Sequence, residues 1–286
     1  MTRVVVTGAG GMLGQALMGC VPEGVQAIAV TRAEGDLTSP DGVRHAVAEP
    51  RPKVVIHAAA WTDVDGCERD PARAWSNNTL ATRLVCETCQ ALGARLVGLS
   101  TDYVFDGLSG TPYCEGAPVN PTSVYGETKL AAERAIAALE DSVIVRTQWL
   151  YGPGGRNFVA AVLRQAWGGQ PVSVVADQTG CPTYTKHLAP AVWRLAMSAF
   201  RGVVHVAGQG LATWLDLARV AFEAARVHRA PIPIAAEDWP SPVRRPRFSA
   251  LAQDRWIGWA GSALPSWREG VKQYVHELLL EGGFQR

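Results

Sequence analysis

The stretch Val4-Val5-Val6-Thr7-Gly8-Ala9-Gly10-Gly11-Met12-Leu13-Gly14 decides the fold. A short β-branched run passes into closely spaced glycines and then into an apolar helical stretch from Leu13. That is the order of a strand, a tight turn and a helix. A G-x-G-x-x-G reading fails because position 13 is Leu13, so the spacing that fits is Gly8, Gly11 and Gly14. Such a turn brings backbone close to a pyrophosphate and sets that anion at the positive end of a helix. The predicted ligand is a dinucleotide, held by Gly8, Gly10, Gly11, Met12, Leu13 and Gly14.

Working outward, strand-like runs alternate with helix-length segments. Val25–Thr31, Lys53–Ala58, Arg95–Ser100 and Ser142–Arg146 read as further strands, and Val124–Leu139 as an Ala-rich helix. Near-continuous apolar strands separated by helices predict an α/β fold, a Rossmann-type doubly wound parallel sheet. After Gly152 proline, glycine and tryptophan become frequent, and Ile232–Phe248 carries four prolines. The expected division gives residues 1–149 and approximately 184–209 to the dinucleotide-binding domain, including a late strand at Val203–Ala207. Residues of approximately 150–183 and 210–286 form the expected interleaved partner, a smaller α/β substrate domain.

Composition narrows the function classes. The 286 residues are 48% apolar and 19% charged, with a formal net charge of +1. This argues against a bulk nucleic-acid or membrane-surface binder, which needs a large basic excess. No uncharged apolar run approaches the ~20 residues of a membrane span. The glycines after Thr7 interrupt any signal-peptide core, so a cytoplasmic location is expected. Cys86 and Cys89 form a C-x-x-C inside a helical pattern, with no second pair to complete a metal site. They read as buried thiols, and no metal is expected.

At the end of the second strand Thr31 and Arg32 stand where a ribose-binding carboxylate would favour NAD. Arg32 instead suits a 2′-phosphate, so the expected cofactor is NADPH, with NADH as the alternative. Asp36 and Leu37 follow at a distance suited to an adenine contact.

Tyr125-Gly-Glu-Thr-Lys129 puts a phenol and an ammonium four residues apart, on one face of a helix. An ammonium about 4 Å away at an effective dielectric of about 20 contributes roughly 4 kcal/mol, or about three pKa units. That brings a phenol near working pH. The pair gains specificity from Thr101, at the carboxyl end of the preceding strand, where a hydroxyl meets a bound substrate. Asp102 is either a second substrate contact or a local cap.

These residues resemble the extended short-chain dehydrogenase/reductases, and within them the dTDP-4-dehydrorhamnose reductase family. The matching stretches are residues 7–14, Ala58–Asp65, Ser100–Gly107, Tyr125–Lys129, Arg146–Gly152, Asp177-Gln178, Pro182-Thr183 and Arg244-Arg245-Pro246. The likeness implies NADPH-dependent reduction of the C4 keto group of dTDP-4-dehydro-L-rhamnose. In that reading Tyr125 is the general acid, Lys129 its ribose-binding partner and Thr101 the third member of the trio. Ala60, Trp61 and Thr62 line the nicotinamide side, and Ala58 and Ala59 also contact the cofactor. Thr101, Asp102, Trp149, Asn157, Arg244 and Arg245 contact the sugar nucleotide, the arginines suiting its diphosphate.

Two departures stand out. Trp61 replaces the His or Tyr more usual in the family, which keeps open a 4-ketoreductase of another dTDP-deoxysugar. Gln15 and Lys186 stand at two positions that carry glutamates in magnesium-linked dimers of the family, leaving Glu277. A monomer or weak homodimer is therefore expected. A third alternative is a non-catalytic dinucleotide-binding regulatory subunit, against which the intact trio argues.

Overall fold

Six parallel strands form the central sheet of the computed structural model, which describes residues 1–280. They are β1 (Thr2–Thr7), β2 (Val25–Val30), β3 (Val54–His57), β4 (Arg95–Thr101), β5 (Ser142–Thr147) and β6 (Gly202–His205). Their order is β6-β5-β4-β3-β1-β2. Thr7 at the end of β1 lies opposite Val30 of β2 on one side and His57 of β3 on the other. The winding reverses there, which opens a crevice beyond the carboxyl ends of the strands.

Alternation along β1 explains the two cores. Val4 and Val6 face one side of the sheet and Val5 the other, as a two-residue period demands. The principal helices are α1 (Met12–Met18), α2 (Ala81–Leu92), α3 (Val124–Ala137), α4 (Phe158–Trp167), α5 (Thr185–Ala196), α6 (Trp214–Ala224) and α7 (Trp267–Leu280). Leu17 of α1 and Leu188, Val192 and Trp193 of α5 cover the Val4 face. Trp193 also donates its indole N–H to the Leu17 carbonyl at 2.9 Å. Val85, Cys86 and Cys89 of α2 and Ile136 of α3 cover the Val5 face. Each such fully buried aliphatic side chain contributes ~1.5–3 kcal/mol. Burial pushes both the Cys86 and Cys89 thiols up to about 12, so they are unreactive at neutral pH.

A second core gathers Val159 and Leu163 of α4, Leu217 and Phe222 of α6, and Val271 and Tyr274 of α7 around Tyr151. β6 pairs with β5, and α5 packs on the main sheet. One segment departs from the expected division. Trp256, Ala260 and Leu264 lie in residues 210–286 but pack into the first core, beside α5. Their apolar side chains have the Val4 face to fill, and sequence position does not constrain that.

Candidate active site

The glycine turn is built as its spacing requires. Gly8 has φ +70°, and a Cβ there would come within 2.6 Å of the Ala59 nitrogen. A Cβ at Gly14 would meet the Gly8 carbonyl at 2.1 Å, so α1 can lie against the turn only because position 14 is glycine. Beside it opens a cleft of about 780 Å³ lined by Gly8, Gly10, Gly11, Thr31, Arg32, Asp36, Leu37, Ala58, Ala59 and Ala60. These residues fit a dinucleotide: close backbone at the helix end for a pyrophosphate, and a guanidinium at the far rim. Met12, Leu13 and Gly14 do not line the cleft; Leu13 is buried in the first core, and Thr62 is exposed outside it. Glu34 folds back, its carboxylate accepting the backbone N–H and hydroxyl of Thr31 at 2.7 and 2.6 Å.

The trio meets at the carboxyl end of β4. Ser123 caps α3 by accepting the Gly126 N–H at 3.2 Å. A side chain at Gly126 would strike the Tyr103 carbonyl, so the Tyr-Gly pair lets the first turn of α3 reach the strand end. The Tyr125 phenol has the Thr101 hydroxyl as a hydrogen-bonding neighbour, and its ring stands edge-on to Tyr103 with centroids 5.5 Å apart. Lys129 donates from Nζ to the Leu99 carbonyl at 2.7 Å.

The electrostatics differ from the expectation that Lys129 draws the phenol down. Burial holds the Tyr125 phenol above its ordinary value, with Thr101 opposing and Asp102 reinforcing the shift. The ammonium is turned to Leu99, and desolvation penalises the charged form of both groups. Lys129 itself is pushed down to about 8 by burial, against the upward pull of Glu133. Asp102, 2% exposed, is raised to about 6 by desolvation, which hydrogen bonds from Ser249 and Thr101 only partly offset. Its Oδ2 has no hydrogen-bond partner among the described residues.

A polar clamp that sequence reasoning missed holds the floor. Asn78 accepts the Trp61 N–H at 2.7 Å and donates to the Trp61 carbonyl at 3.2 Å and the Thr128 hydroxyl at 3.1 Å. It ties Trp61 to Thr128 of α3. Ser76 and Asn77 from the same π-helical turn, Trp75–Leu80, line the dinucleotide cleft with Arg73. The only signal was four polar residues in a row, Ser76 to Thr79.

A second cavity, about 740 Å³, lies between α4, α6 and the segment Ala236–Arg247. Phe158, Val162, Val174, Val175, Gln178 and Trp214 are among its walls, and Arg244, Arg245 and Arg247 line it too. Arg245 is tethered to Asp65 at 3.2 Å and bonds the Tyr103 hydroxyl, connecting this cavity to the Tyr125 ring. Arg244 and Arg247 are both exposed and make no ion pair among the described residues. Two expected substrate contacts are placed otherwise. Asn157 is the N-cap of α4, its Oδ1 accepting from Ala160 and its Nδ2 donating to Gly152, Gly155 and Tyr274. A capping amide so committed is structural, and it does not line the cavity. Trp149 lies behind Trp214 rather than on the cavity wall.

Residues 1–280 match the family model described as RmlD substrate binding domain. A dTDP-4-dehydrorhamnose reductase of Streptomyces griseus is 41% identical over 98% of this chain and 95% of that protein. The chain belongs to the dTDP-4-dehydrorhamnose reductase family. Another relative, the probable dTDP-4,6-dihydroxy-2-methyloxan-3-one 4-ketoreductase of Streptomyces antibioticus, is 38% identical over 97% of this chain and 96% of its own. The dTDP-4-dehydrorhamnose reductase of Bacillus anthracis, solved in complex with NADP, superposes with a TM-score of 0.93 at 34% identity, covering 97% of this chain and all of that one. The central parallel sheet is thus that of the extended short-chain reductases, and the family is one of oxidoreductases.

Within this dTDP-4-dehydrorhamnose reductase family member, the three positions weighed for a metal-linked dimer bond inside the chain. Lys186 pairs with Glu277 at 2.8 Å, and Glu277 also accepts the Tyr184 hydroxyl at 2.8 Å. Gln15 donates to the carbonyls of Gly10 at 2.9 Å and Gly154 at 3.1 Å. Among the described residues no helix is long and apolar enough to cross a membrane.

Proposed function

We propose that this chain reduces the 4-keto group of dTDP-4-dehydro-L-rhamnose to give dTDP-L-rhamnose, using NADPH. The observation that carries the reading is the Tyr125 phenol set against the Thr101 hydroxyl at the end of β4, with Lys129 one turn along the same helix and bonded to the Leu99 carbonyl of that strand. The cofactor supplies a hydride to the sugar C4. Tyr125, kept neutral by burial, gives its proton to the carbonyl oxygen, so the C=O becomes CH–OH. Thr101 would donate a hydrogen bond to that oxygen, and Lys129, bonded here to the Leu99 carbonyl, would hold the ribose hydroxyls of the cofactor. Arg32 receives the 2′-phosphate, which favours NADPH over NADH. Arg244 and Arg247, both without an ion-pair partner among the described residues, hold the diphosphate.

The test is direct. Purified protein with NADPH and dTDP-4-dehydro-L-rhamnose should consume the nicotinamide absorbance, and silence at high enzyme concentration rejects this substrate. Tyr125→Phe should cut turnover by roughly 10²–10⁴-fold while cofactor binding changes little. Unchanged turnover sinks the acid assignment.

A second reading, reduction of a different dTDP-4-ketodeoxysugar, is favoured by Trp61. Its indole carries the Arg73 guanidinium 4.4 Å above the ring, beside the nicotinamide side of the cleft. The Streptomyces antibioticus relative has a name of that kind. Comparing kcat/KM across several dTDP-ketosugars separates the two. A cytosolic setting and a monomeric or weakly dimeric state complete the proposal.

A further inference from the structure

Gln178 is 6% exposed and lines the second cavity. Its carbonyl oxygen accepts the Trp214 indole N–H at 3.1 Å. An indole nitrogen only donates, so this contact fixes which end of the amide is which. The amide nitrogen makes no hydrogen bond among the described residues and is left as a donor toward the cavity.

Trp214 is held in place. It lies flat on Trp149, with centroids 3.6 Å apart and planes 7° from parallel, and Phe158 closes on it at 4.8 Å. Trp149 sits at φ +49°, a left-handed conformation that costs an aromatic residue energy and persists only where the surroundings enforce it. The indole therefore cannot swing away to let the amide turn over. A fixed donor in the cavity wall, with no acceptor among the described residues, favours a ligand that brings one.

The rest of the cavity says what kind of ligand that is. Phe158, Val162, Val174 and Val175 offer apolar walls for a flat ring, and Arg244 and Arg247 offer cations for phosphates. An apolar slot with one fixed donor beside a cationic rim suits a nucleoside diphosphate whose base carries a ring carbonyl.

We propose that Gln178, locked by Trp214, selects the nucleobase of the sugar nucleotide, accepting thymine or uracil and rejecting cytosine. This deepens the dTDP-sugar reading and rests on it. The C4 carbonyl of thymine accepts from the Gln178 amide, whereas the exocyclic amine that cytosine carries at the same ring position would face donor with donor. Leaving a buried polar group unpaired in this way discriminates by about tenfold or more.

Titration calorimetry of the NADPH-loaded protein with dTDP and with dCDP reads the ratio of affinities independently of turnover. The wild type should bind dTDP about tenfold or more tighter. Trp214→Phe keeps a stacking ring but removes the N–H, so the amide can turn and the ratio should fall towards unity. Gln178→Glu replaces the donor by an acceptor. It should weaken both ligands, through its charge beside the phosphates, and tip the ratio towards dCDP. Circular dichroism and a melting curve check that each variant folds, and Gln178→Glu decides the matter alone if Trp214→Phe does not. Equal affinities in the wild type, or an unchanged ratio in the folded variants, overturns the proposal. Should the reductase reading itself fail, the nucleotide ratio would stand while no dTDP-ketosugar consumed NADPH. Should base selection fail, turnover would persist with a ratio of one.

Discussion

Glu133 accepts both prongs of the Arg146 guanidinium, at 2.8 and 2.7 Å, one helical turn along α3 from Lys129. The Ser100 hydroxyl donates to the same carboxylate at 2.5 Å. This buried pair ties the helix carrying Tyr125 and Lys129 to β4 and β5. It also supplies the negative charge that partly offsets the desolvation of Lys129.

Removing that charge should therefore be visible in a pH profile. Lys129, at about 8 in the cofactor-free protein, is protonated below that pH and loses its charge above it. If the ammonium is needed, kcat/KM falls as pH rises through about 8, because this parameter reports the free enzyme. Glu133→Gln takes away the upward pull, so the alkaline limb moves to lower pH. The same change leaves Arg146 buried without its carboxylate, a loss of roughly 3–5 kcal/mol that a denaturant titration would read.

Asp102 gives the opposite sign. Its proton affinity is raised on folding, so this group contributes stability below pH ~4 that is lost as pH climbs through about 6. Asp102→Asn should raise the melting temperature near pH 8, by an amount equivalent to at most ~3 kcal/mol, with the gain fading towards pH 4. Sugar-nucleotide affinity should fall in the same variant. A melting difference that does not vary with pH would mean the carboxyl is not perturbed.

Gly14→Ala tests the turn. The added methyl would meet the Gly8 carbonyl at 2.1 Å, and both partners are backbone, so the turn must open. Cofactor affinity, followed by fluorescence quenching, should drop by about tenfold or more, with a lowered melting temperature as overpacking implies.

Arg32→Ala tests the choice of reductant. A guanidinium bonded to a phosphate is worth ~1.5–3 kcal/mol, so KM for NADPH should rise roughly tenfold or more. KM for NADH should barely move. Equal effects on both cofactors would make Arg32 a general surface cation.

Much of the sheet was legible because β1, β3, β4 and β5 are buried on both faces, and β1 to β5 fall within a residue or two of the apolar runs read from the sequence. The Tyr125-to-Lys129 spacing, with Thr101 at a strand end, was equally readable because both are local patterns. The second core was not. Its strands, such as Leu150–Tyr151, Thr179–Gly180 and Ala212–Thr213, are two residues long, too short to show a period. Asn157 was misplaced because an asparagine that caps a helix and one that binds a ligand look alike in sequence. Arg244 and Arg245 are adjacent, yet only the second meets Asp65, 180 positions away. No local pattern distinguishes them.

The return of β6 has a consequence for how the molecule can come apart. The chain leaves the sheet after β5, builds part of the second core, and comes back through α5 and β6 before leaving again. A fragment ending at residue 149 would lack the strand beside β5 and expose the face that Leu188, Val192 and Trp193 cover. Neither half is then a severable piece. The two cores are expected to melt as one cooperative unit, and a protease nick between them would not release a working nucleotide-binding module.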